Sequence, residues 1–166
     1  MTEVEFWELI EQSRPEVNDC ATQTIQLQQI LSQLSPDRIV QFQQIFHDKI
    51  VEAYRWDLWG VAALIQGFCS DDGFEYFCRW LVGQGREAFV NAIADPETVA
   101  DLLDHQNQMI ECEELFYAAL FAYEAMTGEI IPELDVHYPR HPAGERWTDG
   151  QLAEQFPKVV SRYPPC

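Results

Sequence analysis

Apolar residues return every three or four positions along most of the chain, and nowhere do they alternate convincingly with polar ones at period two. Ile39, Phe42, Phe46, Ile50 and Ala53 show the helical spacing most clearly. Ser35-Pro36-Asp37 precedes them with a capping residue, a proline suited to the first helical position and an acid for the first turn. Residues 3 to 14, carrying Phe6, Trp7 and Ile10 among glutamates, predict a short helix stopped by Pro15. From about Glu16 to Leu34 the set Ala21, Ile25, Leu27, Ile30, Leu31 and Leu34 predicts a second. Residues 57 to 67 predict another, ended near Gly67; the next carries Phe74, Phe77 and Leu81 and breaks at Gly83 and Gly85. Arg86 to Ala94 resumes the pattern. Asp95-Pro96-Glu97 opens a helix through Leu103, and residues 111 to 127 read as a long buried helix closed by Gly128. Between Ile130 and Trp147, Pro132, Pro139 and Pro142 forbid a regular helix, so an ordered loop or arm is expected. Thr148-Asp149 is placed to cap a last helix, 149 to 156, before Pro157, with a frayed end from Tyr163 to Cys166. The expected fold is all-α: one domain over 1–166 with about eight helices, a core at 3–128, a loop at 129–147 and a C-terminal helix and tail at 148–166.

Composition narrows the function classes. Hydrophobic residues make up 47% of the 166, which supplies a core and argues against disorder. Twenty-eight acidic side chains against ten basic give a net charge of -18. Such a field repels nucleic acid and anionic lipid and attracts basic proteins, so a nucleic-acid binder is excluded and a basic protein partner is expected. No stretch approaches the roughly 18 apolar residues of a membrane span, and MTEVEFWELIEQ lacks the basic start and apolar run of a signal peptide. Cys20, Cys69, Cys78, Cys112 and Cys166 are dispersed, odd in number and without a Cys-x-x-Cys pair. They read as reduced core residues of a cytoplasmic protein, and no structural zinc site or other cofactor is expected.

The least generic stretch is Cys69-Ser70-Asp71-Asp72-Gly73, a polar knot between apolar segments rich in tryptophan and tyrosine. Its structural reading is a helix start, where Ser70 or an aspartate accepts from free amides, the acids face the favourable end of the dipole, and Arg55, Arg79 or Arg86 balances them. A catalytic reading makes Asp71 and Asp72, with Arg79, acid/base or metal-binding groups in a cleft lined by Tyr54, Trp56, Trp59 and Trp80. A recognition reading makes Arg55, Trp56, Asp57, Trp59, Ser70, Asp71, Asp72 and Arg86 a charged rim around an aromatic anchor.

The run Arg55-Trp56-Asp57-Leu58-Trp59-Gly60, then Ala62-Ala63, Gly67, the knot with Phe74, Tyr76-Phe77, Trp80-Leu81 and Gly85-Arg86, resembles domain of unknown function 4240, a mainly bacterial family. Glu5-Phe6-Trp7 and Ala94-Asp95-Pro96 resemble it too, over about Glu3 to at least Glu129 and more loosely through Phe156-Pro157. Phe68-Cys69 departs from it where a second small residue is expected before the cysteine, and Cys78 where an arginine is. The resemblance implies a compact intracellular domain and carries over no catalytic residue.

Other candidates are weaker. His137 and His141 are four apart, but Pro139 and Pro142 bar the helix that would present both to a metal. Only a loop-borne site with Asp135 or Glu145 remains for them, and no metal is assigned. His47 and His105 read as surface groups; Glu124 needs a partner if it faces inward. Cys69 precedes a helix start, where thiolate is stabilised, yet has no histidine near it in sequence. Glu111, Glu113 and Glu114 suit the amino end of the helix that follows. The expectation is therefore a protein-interaction or regulatory module, inhibitor- or immunity-like in one version; the alternative is a hydrolase built on Asp71 and Asp72 with the arginines.

Overall fold

The computed structural model describes residues 1–16, 19–103, 109–148 and 150–164, all-helical and without a β-strand among them. Helix α1 (Glu3–Gln12) starts in a capping box. Thr2 Oγ1 accepts from the Glu5 amide at 3.2 Å, while the Glu5 carboxylate accepts from the Thr2 amide at 2.7 Å. That backbone bond, with Arg38 at 3.2 Å, draws the Glu5 pKa down to about 2. Helix α2 (Cys20–Leu31) begins later than its apolar spacing predicts, because Asp19 accepts from the Thr22 amide at 2.8 Å and sets the start there. Helix α3 (Pro36–Ala53) lies where predicted, although the Ser35 side chain makes no cap bond. Helix α4 (Trp56–Gln66) stops at Gly67, whose left-handed φ of 79° suits glycine.

Helices α5 (Asp71–Gly83) and α6 (Arg86–Ala94) follow. Pro96–Leu102 winds as a tighter 3-10 segment rather than an α-helix. The helix expected from residue 111 starts late: a 3-10 turn at Glu114–Phe116 leads into α7 (Tyr117–Thr127), which Gly128 closes. Two short helices end the described chain, α8 (Leu152–Gln155) and α9 (Pro157–Arg162). Pro157, read from sequence as a stop, instead opens α9 at the first helical position, where a missing N–H is harmless. Tyr163, expected to fray, is 6% exposed in the core; Asp149, Pro165 and Cys166 lie outside the described residues.

Helix α5 runs through the core, burying Phe74, Phe77, Cys78, Trp80, Leu81 and Val82. A column of rings, Trp56, Trp59, Phe74, Phe77 and Trp80, descends along it with successive centroids 5.2, 4.8, 5.8 and 5.8 Å apart. Helix α3 lies against α5 and α7, and α2 against α7.

The proline-rich segment is an arm laid over α3 and α4, as the sequence suggests. Gln44 Nε2 donates to Asp135 O at 3.1 Å, and the Ala143 amide and carbonyl pair with Tyr54 O and the Trp56 amide, each at 2.9 Å. Beyond it Trp147 and Leu152 come down on Gly60. A Cβ there would stand 2.6 Å from Leu152 Cδ2, so a larger residue would push the Leu152 side chain aside.

Cys20 and Cys112 form a disulfide with 5.5 Å between their Cα atoms, which corrects the reading of all five cysteines as reduced. Spacing could not announce it, since the partners are 92 residues apart. The bond ties the start of α2 to the chain entering the Glu114–Phe116 turn. Alkylation of the unreduced, denatured protein should label Cys69 and Cys78 and leave Cys20 and Cys112 unmodified, because the latter two are bonded. Cys112→Ser should lower unfolding stability in urea by about 2–4 kcal/mol.

Candidate functional site

At the knot, Ser70 makes the cap. Its Oγ accepts from the Gly73 amide at 3.1 Å. Asp71 and Asp72 occupy the first turn of α5, exposed, with no hydrogen bond or ion pair among the described residues. The expectation that they accept amides and are balanced by arginine is therefore corrected: their contribution is to the dipole alone. A carboxylate does approach this helix end, but it is Glu111. Its Oε1 lies 3.1 Å from where a Gly73 Cβ would be and accepts from Gln66 Nε2 at 2.6 Å. Cys69 is buried and its surroundings disfavour the thiolate. Burial first, then the charges of Glu111 and Asp71, push its pKa up to about 12.

The arginines serve other acids. Arg55 grips Asp57 through two bonds of 3.0 and 2.7 Å at the start of α4. Arg79, 7% exposed, donates to Glu113 O at 3.0 Å and to Glu75 at 2.5 Å. Its guanidinium lies over the Phe116 ring at 4.5 Å, with Tyr76 and Tyr117 at 5.3 and 5.9 Å, and its buried Nε has no hydrogen-bond partner. Arg79 thus clamps α5 to the turn before α7. His47, expected at the surface, is half-buried: its ring meets Phe116 edge-on and its Nδ1 lies 2.8 Å from Tyr138 Oη, while burial lowers its pKa. His105 lies outside the described residues, and Glu124 is exposed and needs no partner.

The tryptophan patch expected to anchor a partner is used internally. Trp56 and Trp59 stack on each other, Arg146 sits over Trp56 at 5.0 Å, and Trp147 Nε1 donates to Trp56 O at 3.0 Å. Neither Arg146 nor Trp147 stood out in the sequence. His137 and Asp135, 3.4 Å apart, are almost fully exposed, and His141 is exposed as well. No group of three possible metal ligands forms around them among the described residues; the one found is Cys20, Cys112 and Glu114, whose sulfurs are bonded to each other.

The recognition set does not converge. Ser70 to Asp72 and Arg86 lie at opposite ends of α5, a 13-residue helix roughly 20 Å long. Arg86 instead belongs to a groove walled by α1 and α6. One hollow of about 420 Å³ is lined by Val4, Trp7, Glu8, Glu11, Gln12 and Arg86. It adjoins another of about 460 Å³ lined by Glu11, Arg86, Glu87, Val90 and Asn91. Trp7 forms the floor against Phe89, with ring centroids 5.3 Å apart, while Val4 and Val90 are 63% and 50% exposed. Glu11 accepts from the Arg86 amide at 3.2 Å, capping α6 from α1, and from Arg14 at 3.1 Å. Glu8 and Glu87 are exposed on the walls. Sequence reasoning missed this groove because Val4 and Val90 each look like an ordinary isolated surface valine.

The sequence pattern described as Protein of unknown function (DUF4240) matches residues 1–125. The chain belongs to that family. No curated protein matches it, and no solved structure does. The match stops short of the extent expected from sequence, so the arm, α8 and α9 lie beyond it. Of the two departures from the DUF4240 pattern, Phe68 is exposed on the turn before Cys69. Cys78 is fully buried with its sulfur 3.7 Å from Ala53 O, where an arginine would have to be buried too.

If Ser70 alone caps α5, Ser70→Ala should cost about 0.5–2 kcal/mol in chemical unfolding. Asp71→Asn with Asp72→Asn should cost less than about 1 kcal/mol, the loss of dipole attraction at an exposed end.

Proposed function

We propose that this DUF4240 protein is a non-enzymatic interaction module whose acidic surface engages a basic protein partner, an inhibitor- or immunity-type role being one form of it. One observation carries the reading. Seven of the ten basic side chains are already ion-paired within the chain: Arg14, Arg38, Lys49, Arg55, Arg79, Lys158 and Arg162. Lys49 is typical: burial lowers its pKa, but bonds to Glu52 and Glu3 outweigh that and hold it raised. The acidic excess that remains, Glu8, Asp71, Asp72, Glu87, Glu124 and Glu133 among it, faces solvent. A surface of this kind speeds and orients encounters with cationic proteins.

The hydrolase alternative loses its support, since Asp71 and Asp72 stand apart from Arg79 and from the hollows described above. A cytoplasmic setting remains part of the proposal. The Cys20–Cys112 bond weighs against it, because such bonds are rare in reducing compartments. No helix among the described residues is long and apolar enough to cross a membrane.

Capture from an extract of the native organism at low salt should retain a small set of basic proteins that elute as salt rises. A variant carrying Glu8→Gln, Asp71→Asn, Asp72→Asn and Glu87→Gln should retain fewer. Capture that is empty at low salt, or indifferent to salt and to the variant, would contradict the proposal.

A further inference from the structure

We infer that the α1–α6 groove is a docking site for an amphipathic helix of the partner, apolar on one face and flanked by lysine or arginine; this rests on the acidic-module reading above. Three features of the groove lead to it. First, its walls are two helices that show residues at helical intervals, Val4, Trp7, Glu8 and Glu11 on α1 and Arg86, Glu87, Val90 and Asn91 on α6. Ridges spaced in this way receive the ridges of a third helix. Second, an extended peptide would need backbone partners at the groove, because every buried amide and carbonyl must be satisfied. The middle of each wall supplies none: interior amides of α1 and α6 are spent within the helices, and the Arg86 amide at the head of α6 is taken by Glu11. A helix arrives with its own backbone bonds made. Third, the groove is apolar at its floor and carries more acid than base on its walls, Glu8, Glu11 and Glu87 against Arg86.

Trp7 lies beneath the first hollow, 3% exposed, with the exposed Val4 beside it on α1, and the exposed Val90 lines the adjoining hollow on α6. Glu8 on α1 and Glu87 on α6 are exposed acids without an ion pair among the described residues, one for each flank of an incoming helix. Glu11 is committed to Arg14 and to the head of α6, so it shapes the groove rather than binding the occupant. Its position is also enforced by Gly85, at φ 91°, where a Cβ would stand 2.0 Å from Glu11 Oε1. Where the hollows meet, the methylene stem of an arginine such as Arg86 can extend an apolar surface while its charged end reaches water. With α1 ten residues long, the groove accommodates about three turns of helix.

The test uses the full chain and three fluorescein-labelled synthetic peptides of equal length, read by anisotropy. One places leucines at helical spacing with lysines on both flanks; the second scatters the same residues; the third replaces lysine by glutamate. At physiological salt the first should bind at least about tenfold more tightly than the other two. Val4→Asp with Val90→Asp, both at exposed positions that leave the fold intact, should weaken it by about tenfold or more. Ile25→Asp, at an equally exposed aliphatic position on α2, should leave binding unchanged. If the first two peptides bind alike and the groove variant changes nothing, the groove assignment fails while the acidic-module reading stands. If neither lysine peptide binds even at low salt, both fail. Self-association that the groove variant abolishes would overturn the inference by making a second copy the occupant.

Discussion

A positive charge buried against aromatic rings holds the centre of this molecule together. Helix α5 runs through the core, yet Arg79 projects from it among buried neighbours. An unpaired charge in that place would cost several kcal/mol. The fold meets the cost by bringing three things to the guanidinium: Glu75 one turn back on the same helix, the carbonyl of Glu113, and the face of Phe116. To reach Arg79, the chain from residue 109 to 116 must cross α5, and there it also delivers Glu111 toward the start of that helix and Cys112 to its bond with Cys20. The late start of α7 follows. Residues that would continue the helix toward residue 111 are engaged with α5 and α2, and only the tighter turn at Glu114–Phe116 fits between.

Charge placement elsewhere obeys the same rule of local pairing. Lys49 sits between Glu3 and Glu52, and Arg55 folds onto Asp57. With most cations consumed in this way, surface acids such as Glu8, Asp71, Asp72 and Glu87 have no ion-pair partner among the described residues. Folding therefore consumes most of a limited supply of basic side chains, and the partner proposed for this surface is one that brings its own.

The sequence made the local structure legible and the long-range structure much less so. Helices 36–53, 57–67 and 86–94 could be read because periodicity, proline at the first position and terminal glycine act within a few residues. Ser70 was recognisable as a cap on the same grounds. Asp71 and Asp72 stand in the first turn as read, but the amide bonds given to them do not form, because one side chain suffices for the cap, and which acceptor wins depends on rotamer rather than on residue type. Arg79 has a main-chain carbonyl 34 residues away as a partner, and no residue preference announces a carbonyl. The Cys20–Cys112 pair, the return of Trp147 onto Trp56 and the adjoining of the α1 and α6 hollows at Glu11 and Arg86 are equally products of tertiary closure. The tryptophans looked like an anchor for something else because nothing in their neighbourhood in sequence shows that the chain's own arm will cover them.

The clamp at Arg79 is tested most directly by urea unfolding of Arg79→Met, which keeps much of the apolar stem and removes the charge and its fork. Loss of the bonds to Glu113 O and Glu75 should reduce stability by about 3 kcal/mol, in the range for deleting a buried charged donor, and Glu75→Gln in the same background should add little. A variant as stable as the native chain would contradict the account and return Arg79 to consideration as a residue kept for binding or chemistry.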